Sequence, residues 1–195
     1  MRTMFVPVIM VGVVAASCSQ PEKQLESPRS YMSIAYTDTT LESFGRSDQA
    51  ITGVLIAGLG DSVRFRIHTT PDALVSVVDF TLHPATSRGE RPVTRRVGMP
   101  KGTMPVMGSS VAFLEQVLRR ARVVGGDSVS IPVMMVGSQV SLDVLTVIRK
   151  GSDSVVLITP DGNLTAALHL AVDSVGHIVG GVIPLSGTRI MATGP

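Results

Sequence analysis

Short segments in which apolar and polar residues alternate, separated by turn-forming residues, recur along most of the chain. In Ser62–Thr70, the apolar Val63, Phe65 and Ile67 alternate with charged residues. A period of two over so few residues is typical of a strand with one buried face. Eight further segments are predicted as strands: Ser30–Thr37, Ile51–Ala57, Leu74–His83, Val129–Val136, Val140–Ile148, Ser154–Thr159, Leu164–Asp173 and His177–Pro184. Strands joined by tight turns predict an antiparallel meander.

The predicted strands Ser62–Thr70 and Leu74–His83 lie close enough in the sequence for their register to be predicted. A four-residue turn, Thr70 to Ala73, separates them. A hairpin closed by this turn would place Phe65 opposite Val78 and Arg64 opposite Asp79.

One segment has a helical period instead. In residues 110–124, the apolar Val111, Leu114, Val117, Leu118 and Ala121 recur at helical spacing, and Gly125-Gly126 follows. The segment therefore predicts one amphipathic helix with its apolar stripe on a sheet. The opposite face is expected to carry these polar residues, with Glu115 paired to Arg119 four positions on: Glu115, Gln116, Arg119, Arg120 and Arg122.

The segment 84–108, between the hairpin and the helix, is rich in Pro, Gly, Ser and Arg and contains a short alternation at Val93–Val97. A connection this long in a compact domain is functional, mobile, or contains unrecognised strands. The sequence leaves these three readings open.

The predicted fold class is mainly β: an antiparallel meander, forming a curved sheet or half-barrel, packed on one amphipathic helix at about 110–124. With 195 residues, of which 44% are hydrophobic, the chain can fill one core, and a single domain is predicted over residues 30–195. The sequence does not decide between an open half-barrel and a closed sandwich.

The N-terminal segment has the features of an export signal. Arg2 is followed by an apolar run from Met4 to Ala16, which is shorter than a membrane-spanning helix. The run ends in Val14-Ala15-Ala16-Ser17-Cys18, which resembles the lipobox of bacterial lipoproteins, although Ala15 stands where Leu is usual. This resemblance implies a signal peptide at 1–17, acylation of Cys18 and a location in the cell envelope, anchored to the membrane by lipid. Residues 18–29 would then be a flexible tether.

Two other interpretations of this segment stay open. Ala15 and Ser17 also fit ordinary signal-peptidase cleavage, which would leave Cys18 as a free thiol, and the segment could instead be a buried element of the fold. In every case, one cysteine provides neither a disulfide framework nor a zinc site. The four histidines lack the spacing of a metal motif, so neither a metal nor another cofactor is expected.

The tripeptide Asp-Ser-Val begins at Asp61, Asp127, Asp153 and Asp173. After Gly60 and Gly126 it is similar to the Gly-Asp-Ser-Leu signature of an esterase family, which implies Ser62 or Ser128 as nucleophile. That family also needs Asp-x-x-His near the C-terminus, whereas here Asp173 and His177 are one residue further apart. We favour a structural interpretation, in which Asp and Ser form a turn and Val enters a strand, and we predict no catalytic residue.

Basic residues are concentrated in the segment from Arg88 to Arg122. It contains eight arginines and lysines and only two acidic residues. Five of them are candidates for contact with lipid headgroups or an acidic partner: Arg95, Arg96, Arg119, Arg120 and Arg122. The alternative is an ordinary solvated face. Because the overall charge is only +2 and Phe113 is the one aromatic residue in this region, nucleic acid is not an expected partner.

The order of elements from Ile51 to Pro184 resembles that of half-barrel envelope proteins such as the periplasmic lipoprotein carriers. This resemblance implies a concave face that takes an acyl chain, and hence a non-enzymatic lipoprotein with a hydrophobic ligand. An accessory domain that contacts an envelope protein through residues 88–122 is the alternative, and a serine hydrolase is a third.

Overall fold

The computed structural model describes residues 24–36, 38–86, 89–108, 110–137, 140–158, 167–184 and 187–194. The signal segment, Cys18 and the first part of the predicted tether lie outside these residues. The elements in chain order are β1 (Gln24–Ala35), β2 (Asp38–Ser47), β3 (Ala50–Ala57), β4 (Ser62–Thr69), β5 (Val75–His83), β6 (Val93–Gly98), β7 (Met104–Val106), α1 (Val111–Val124), β8 (Ser128–Met135), β9 (Ser141–Arg149), β10 (Ser154–Ile158), β11 (Leu168–Val172), β12 (Ile178–Ile183) and β13 (Thr188–Gly194).

All of these strands belong to one open sheet, in the order β6-β5-β4-β3-β2-β1-β13-β12-β11-β10-β9-β8-β7. Two antiparallel meanders, β1–β6 and β8–β13, meet where β1 pairs with β13. The one parallel pair in the described sheet joins the short β7 to β8. The predicted mainly antiparallel sheet with one helix is confirmed: it is one sheet that does not close, called the half-barrel here.

The helix lies on the concave face of this sheet and contacts both meanders. The ring of Phe113 packs 5.2 Å from that of Phe65 on β4, while Glu115 accepts a hydrogen bond from the backbone N–H of Ile178 on β12. Every residue of the predicted apolar stripe is buried. The helix therefore fills the middle of the half-barrel and forms its core.

The polar face of the helix differs from the prediction. Glu115 and Gln116, which we expected to be exposed, are 5% and 0% exposed. Glu115 binds Arg29 of β1 rather than Arg119, and Gln116 donates to the carbonyl of Ala73. The reason is that a curved sheet surrounds more of a helix than a flat one does, so it covers residues beyond the apolar stripe and supplies them with polar partners.

The β4–β5 hairpin forms, but its register is shifted from the predicted one by two residues. Phe65 pairs with Phe80, and Arg66 pairs with Asp79. Two changes of one residue each produce the shift. The N–H of Thr70 bonds to the carbonyl of Leu74, so the turn has three residues instead of four, and a bulge lies between His68 and Thr69. Beyond the bulge the shift is even, so the side chains there keep their predicted faces.

Strand boundaries differ most where the sequence pattern is weak. The first strand begins at Gln24, so residues 24–29 of the predicted tether belong to the sheet. The segment 84–108 contains both β6 and β7, so the reading of unrecognised strands is correct there. Neither β2 nor β13 was predicted, and residues 164–166 of one predicted strand lie outside the described residues.

Candidate functional site

The strand register places two rows of residues side by side across the concave face of the first meander. One row is Glu42, Leu55, Val63, Leu82 and Val93, and the other is Phe44, Gly53, Phe65, Phe80 and Arg95. Because paired residues point to the same side of a sheet, each row extends over five strands, from β2 to β6. The helix begins beside Glu42, and the rows continue from there toward the β6 edge.

A cavity of about 520 Å³ lies over part of these rows, beside the loop that leads into the helix. Its sheet wall consists of Thr40, Leu55, Val63, Phe80, Leu82, Val93 and Arg95, and Met107, Gly108 and Gly137 line it from the loops. Leu82 and Val93 are 39% and 47% exposed. The volume lies within the range of small-molecule sites, and most of the lining side chains are apolar.

The helix is shorter than β2, the strand whose Glu42 contacts the first helical residue. Fourteen helical residues span about 21 Å, whereas the ten residues of β2 span about 33 Å. One end of the sheet therefore extends past the first helical residue, Val111. Another depression, of about 440 Å³, lies on the outer face near Gly45, and its lining mixes polar and apolar residues.

Glu42 lies beside the N-terminus of the helix and pairs across the strands with Leu55, which lines the cavity. Its carboxyl group accepts hydrogen bonds from the N–H groups of Val111 and Ala112 at 2.6 and 3.3 Å, and Ser110 Oγ lies 2.5 Å away. Burial raises the pKa of Glu42 to about 7, although these hydrogen bonds oppose the rise. The positive end of the helix thus already has an anionic partner within the protein.

Arg95 and Arg96 are neighbours on β6, but they point to opposite faces. Arg95 pairs with Phe80 on the concave face and lines the cavity. Arg96 pairs with Asp79 on the outer face, where its Nε lies 3.4 Å from an Asp79 oxygen. His68 Nε2 lies 2.8 Å from the other Asp79 oxygen. Of the five predicted arginines, only Arg95 has a place in the cavity.

The three remaining arginines lie toward the other end of the half-barrel, where the helix ends. Arg120 donates to the carbonyl of Asp72 and Arg122 to that of Val175, while Arg119 Nη1 is buried. The five arginines thus do not form one patch, because the strand pairing and the helix direction separate them.

A second polar cluster lies between β1, the helix and the β11–β12 turn. The two terminal nitrogens of Arg29, Nη1 and Nη2, each donate to the Glu115 carboxylate at 2.7 Å, and Tyr31 Oη donates to the same carboxylate. Burial lowers the pKa of Arg29, but the hydrogen bond and charge of Glu115 outweigh this effect and raise it overall. Burial raises the pKa of Tyr31. These groups hold β1 to the helix and satisfy one another.

The esterase-like serines do not meet an acid–base pair. Asp173 Oδ2 lies 3.1 Å from His177 Nδ1, but the other ring nitrogen of His177 lies 3.5 Å from Glu26, not beside a serine. Ser62 and Ser128 are the first residues of β4 and β8. Asp153-Ser154 likewise leads directly into β10, so three of the four copies precede a strand as predicted, and the fourth lies in the β11–β12 turn.

The described part of the chain holds no group of three or more His, Cys, Asp or Glu side chains placed to bind a metal ion. Nor does that part contain a helix of the length and hydrophobicity needed to cross a membrane.

Sequence reasoning assigned three of the cavity residues to a buried face but did not find the cavity. Alternation places Val63, Phe80 and Leu82 on the inner face. Which inner residues the helix leaves uncovered depends on where the helix starts relative to each strand, and no local pattern encodes that. The one available signal was Arg95, a charged residue in phase with the apolar positions Val93 and Val97 of its strand.

Comparison with known proteins supports the fold. No family model and no curated protein matches the sequence. The structure resembles that of a DUF1089 family protein from Pseudomonas aeruginosa. The TM-score is 0.60, and the match covers 72% of this chain and 87% of the other, with 14% sequence identity. At this identity the likeness concerns the fold alone.

Proposed function

We propose that this protein is a non-enzymatic lipoprotein of the bacterial cell envelope, anchored through Cys18, that binds a hydrophobic ligand in the cavity beside the helix. The observation that carries the binding proposal is the cavity itself: about 520 Å³ in volume, with apolar side chains from four strands, β3 to β6, in its wall. Leu82 and Val93 remain partly exposed, although burial of apolar side chains stabilises a domain. Their exposure is what a surface that a ligand covers would show.

The anchor and the cavity would lie at opposite ends of the domain. Five residues separate Cys18 from Gln24, so an extended tether reaches about 20 Å from the acylated cysteine. From Gln24, the twelve residues of β1 run about 40 Å toward the end of the half-barrel where the cavity lies. In this proposal the cavity therefore opens away from the membrane surface that holds the anchor, toward a soluble ligand or a second carrier.

Ligand binding is tested with a matched pair of tryptophan variants. Leu55→Trp fills the cavity from the β3 wall, whereas Ile56→Trp places the same side chain on the outer face, where Ile56 is 42% exposed. We expect the wild type and Ile56→Trp to bind a hydrophobic fluorophore and to retain apolar molecules on purification without detergent. Leu55→Trp should lose both properties while unfolding cooperatively. Equal binding by the two variants would rule out this cavity as the site.

The anchor is tested separately by metabolic labelling with palmitate. The full-length wild type should incorporate label and fractionate with membranes, and Cys18→Ser should do neither. A soluble, unlabelled wild type would contradict the lipoprotein assignment but would leave the cavity proposal intact.

A further inference from the structure

The cavity carries one positive charge at its β6 side. Arg95 is the single charged residue among those that line it, and the rest of the lining consists of apolar residues, glycines and Thr40. Its cross-strand partner is Phe80, which cannot neutralise it. In the described residues, Arg95 makes no ion pair, whereas its neighbour Arg96 lies beside Asp79.

Glu42 does not line the cavity but lies beyond Leu55, which does, in the same cross-strand row. Between Glu42 on β2 and Arg95 on β6 are four strand spacings, or about 19 Å along the sheet. The carboxyl group and the helix N-terminus are engaged with each other there, so a negative group of a ligand would find no partner on that side. The charge distribution therefore distinguishes the two sides: an anion fits beside Arg95, and an apolar chain fits between Arg95 and Glu42.

We propose that the cavity binds a single-chain amphiphile with an anionic headgroup, oriented with the headgroup on Arg95 and the chain along Val93, Leu82, Val63 and Leu55. This inference rests on the proposed function, since it assigns a ligand class to the same cavity. Arg95 is then the residue that determines headgroup specificity, and the apolar rows supply most of the affinity without distinguishing headgroups. A guanidinium group suits this role because it presents several N–H donors to a carboxylate or phosphate.

The test uses dodecanoate and dodecanol, which share an apolar chain of the same length and differ in headgroup charge, each displacing a hydrophobic fluorophore from the purified protein. We expect the wild type to bind dodecanoate roughly tenfold more tightly than dodecanol, since a partly exposed charge-assisted hydrogen bond contributes about that factor. The preference should weaken with increasing salt.

Arg95→Gln should lower dodecanoate affinity by about the same factor and leave dodecanol affinity within about twofold. Arg95→Lys should keep part of the preference because it keeps the charge, and Arg96→Gln, the matched control on the outer face, should change neither affinity. If both ligands bind the wild type equally, or if Arg96→Gln acts like Arg95→Gln, the headgroup assignment is wrong while the hydrophobic site stands. If neither ligand binds, the proposed function fails and this inference with it.

Discussion

The carboxyl group of Glu42, in the middle of β2, accepts a 2.6 Å hydrogen bond from the backbone N–H of Val111, the first residue of the helix. The two residues are 69 positions apart in the sequence. Ser110, the residue before the helix, makes no side-chain capping bond to it and instead lies against Glu42. Glu42 of β2 thus caps the helix. This contact fixes where the helix starts and how much of the concave face it leaves uncovered.

The first prediction concerns the pH dependence of stability. Burial raises the pKa of Glu42 from 4.5 to about 7 in the folded protein. A group whose pKa is raised on folding stabilises the fold most below its unfolded pKa, and this contribution is lost as pH rises through the folded pKa. Between pH 4.5 and 7, the contribution of Glu42 to the free energy of unfolding should therefore fall by about 3 kcal/mol.

Comparison with Glu42→Gln isolates this effect from those of the other carboxyl groups. The variant has no ionisable group at this position. The free energy of unfolding of the wild type, minus that of the variant, should therefore decrease by about 2 to 3 kcal/mol from pH 4.5 to pH 7.5. Urea unfolding at several pH values measures the difference. A difference that stays constant with pH would show that Glu42 titrates normally in the folded state.

The second prediction concerns the Arg29–Glu115 pair, whose side chains are 16% and 7% exposed. Removal of Arg29 leaves the buried Glu115 without its ion pair, and removal of Glu115 leaves Arg29, among the described residues, only its ion pair with Glu26 at 3.1 Å. Glu115→Ala and Arg29→Ala should therefore each lower the free energy of unfolding by about 3 kcal/mol. The double variant Arg29→Ala, Glu115→Ala should lose less than the sum of the two single effects. A strictly additive result in urea unfolding would mean that the two groups contribute independently.

The third prediction concerns Asp79, whose ion pairs are exposed to solvent rather than buried. Asp79 lies between His68 and Arg96 on the outer face, but its side chain is 32% exposed and that of Arg96 is 69% exposed. Exposed pairs contribute little in water, so Asp79→Ala should change the free energy of unfolding by less than about 1 kcal/mol. A loss as large as that of Glu115→Ala would contradict the view that burial, rather than the number of ion pairs, determines the effect.

The contrast between the helix and its surroundings shows what the sequence could predict. The apolar stripe of Val111, Leu114 and Val117 follows from local periodicity and is correct. The burial of Glu115 does not follow from it, because the partners of Glu115 come from β1 and β12, 86 and 63 residues away. Local patterns predict which element forms, whereas burial of a polar residue depends on what folds over it.

The strands follow the same rule. The hairpin of β4 and β5 was predicted because strong alternation fixes its faces, yet its register depended on a bulge at His68 that leaves no mark in the pattern. The strand β2, with the sequence Asp38-Thr39-Thr40-Leu41-Glu42-Ser43-Phe44, was missed because its inner face carries Thr40 and Glu42 where apolar residues are usual. Glu42 is inside because it caps the helix, so the residue that hid the strand is also the one that positions the site.

The last prediction concerns Gly53, which lies between Phe44 and Phe65 in the inner row next to the cavity. A Cβ atom at this position would lie 2.5 Å from Cζ of Phe65 and 2.7 Å from Cβ of Phe44. The two aromatic side chains, on β2 and β4, can both lie over β3 only because the residue between them has no side chain. Gly53→Ala should therefore overpack the core and lower the free energy of unfolding by about 1 to 3 kcal/mol.

Gly45 on β2 provides the matched control for Gly53. A Cβ atom there meets Pro28 at 3.7 Å, an ordinary contact, and neither glycine has a positive φ. Gly45→Ala should be neutral or slightly stabilising, because alanine restricts the unfolded chain more than glycine does. Since Phe65 and Phe80 are neighbours in the same row, Gly53→Ala should also weaken binding of the hydrophobic fluorophore, which Gly45→Ala should leave unchanged. Equal effects of the two substitutions on both measurements would contradict the packing of Phe44 and Phe65 described for this row.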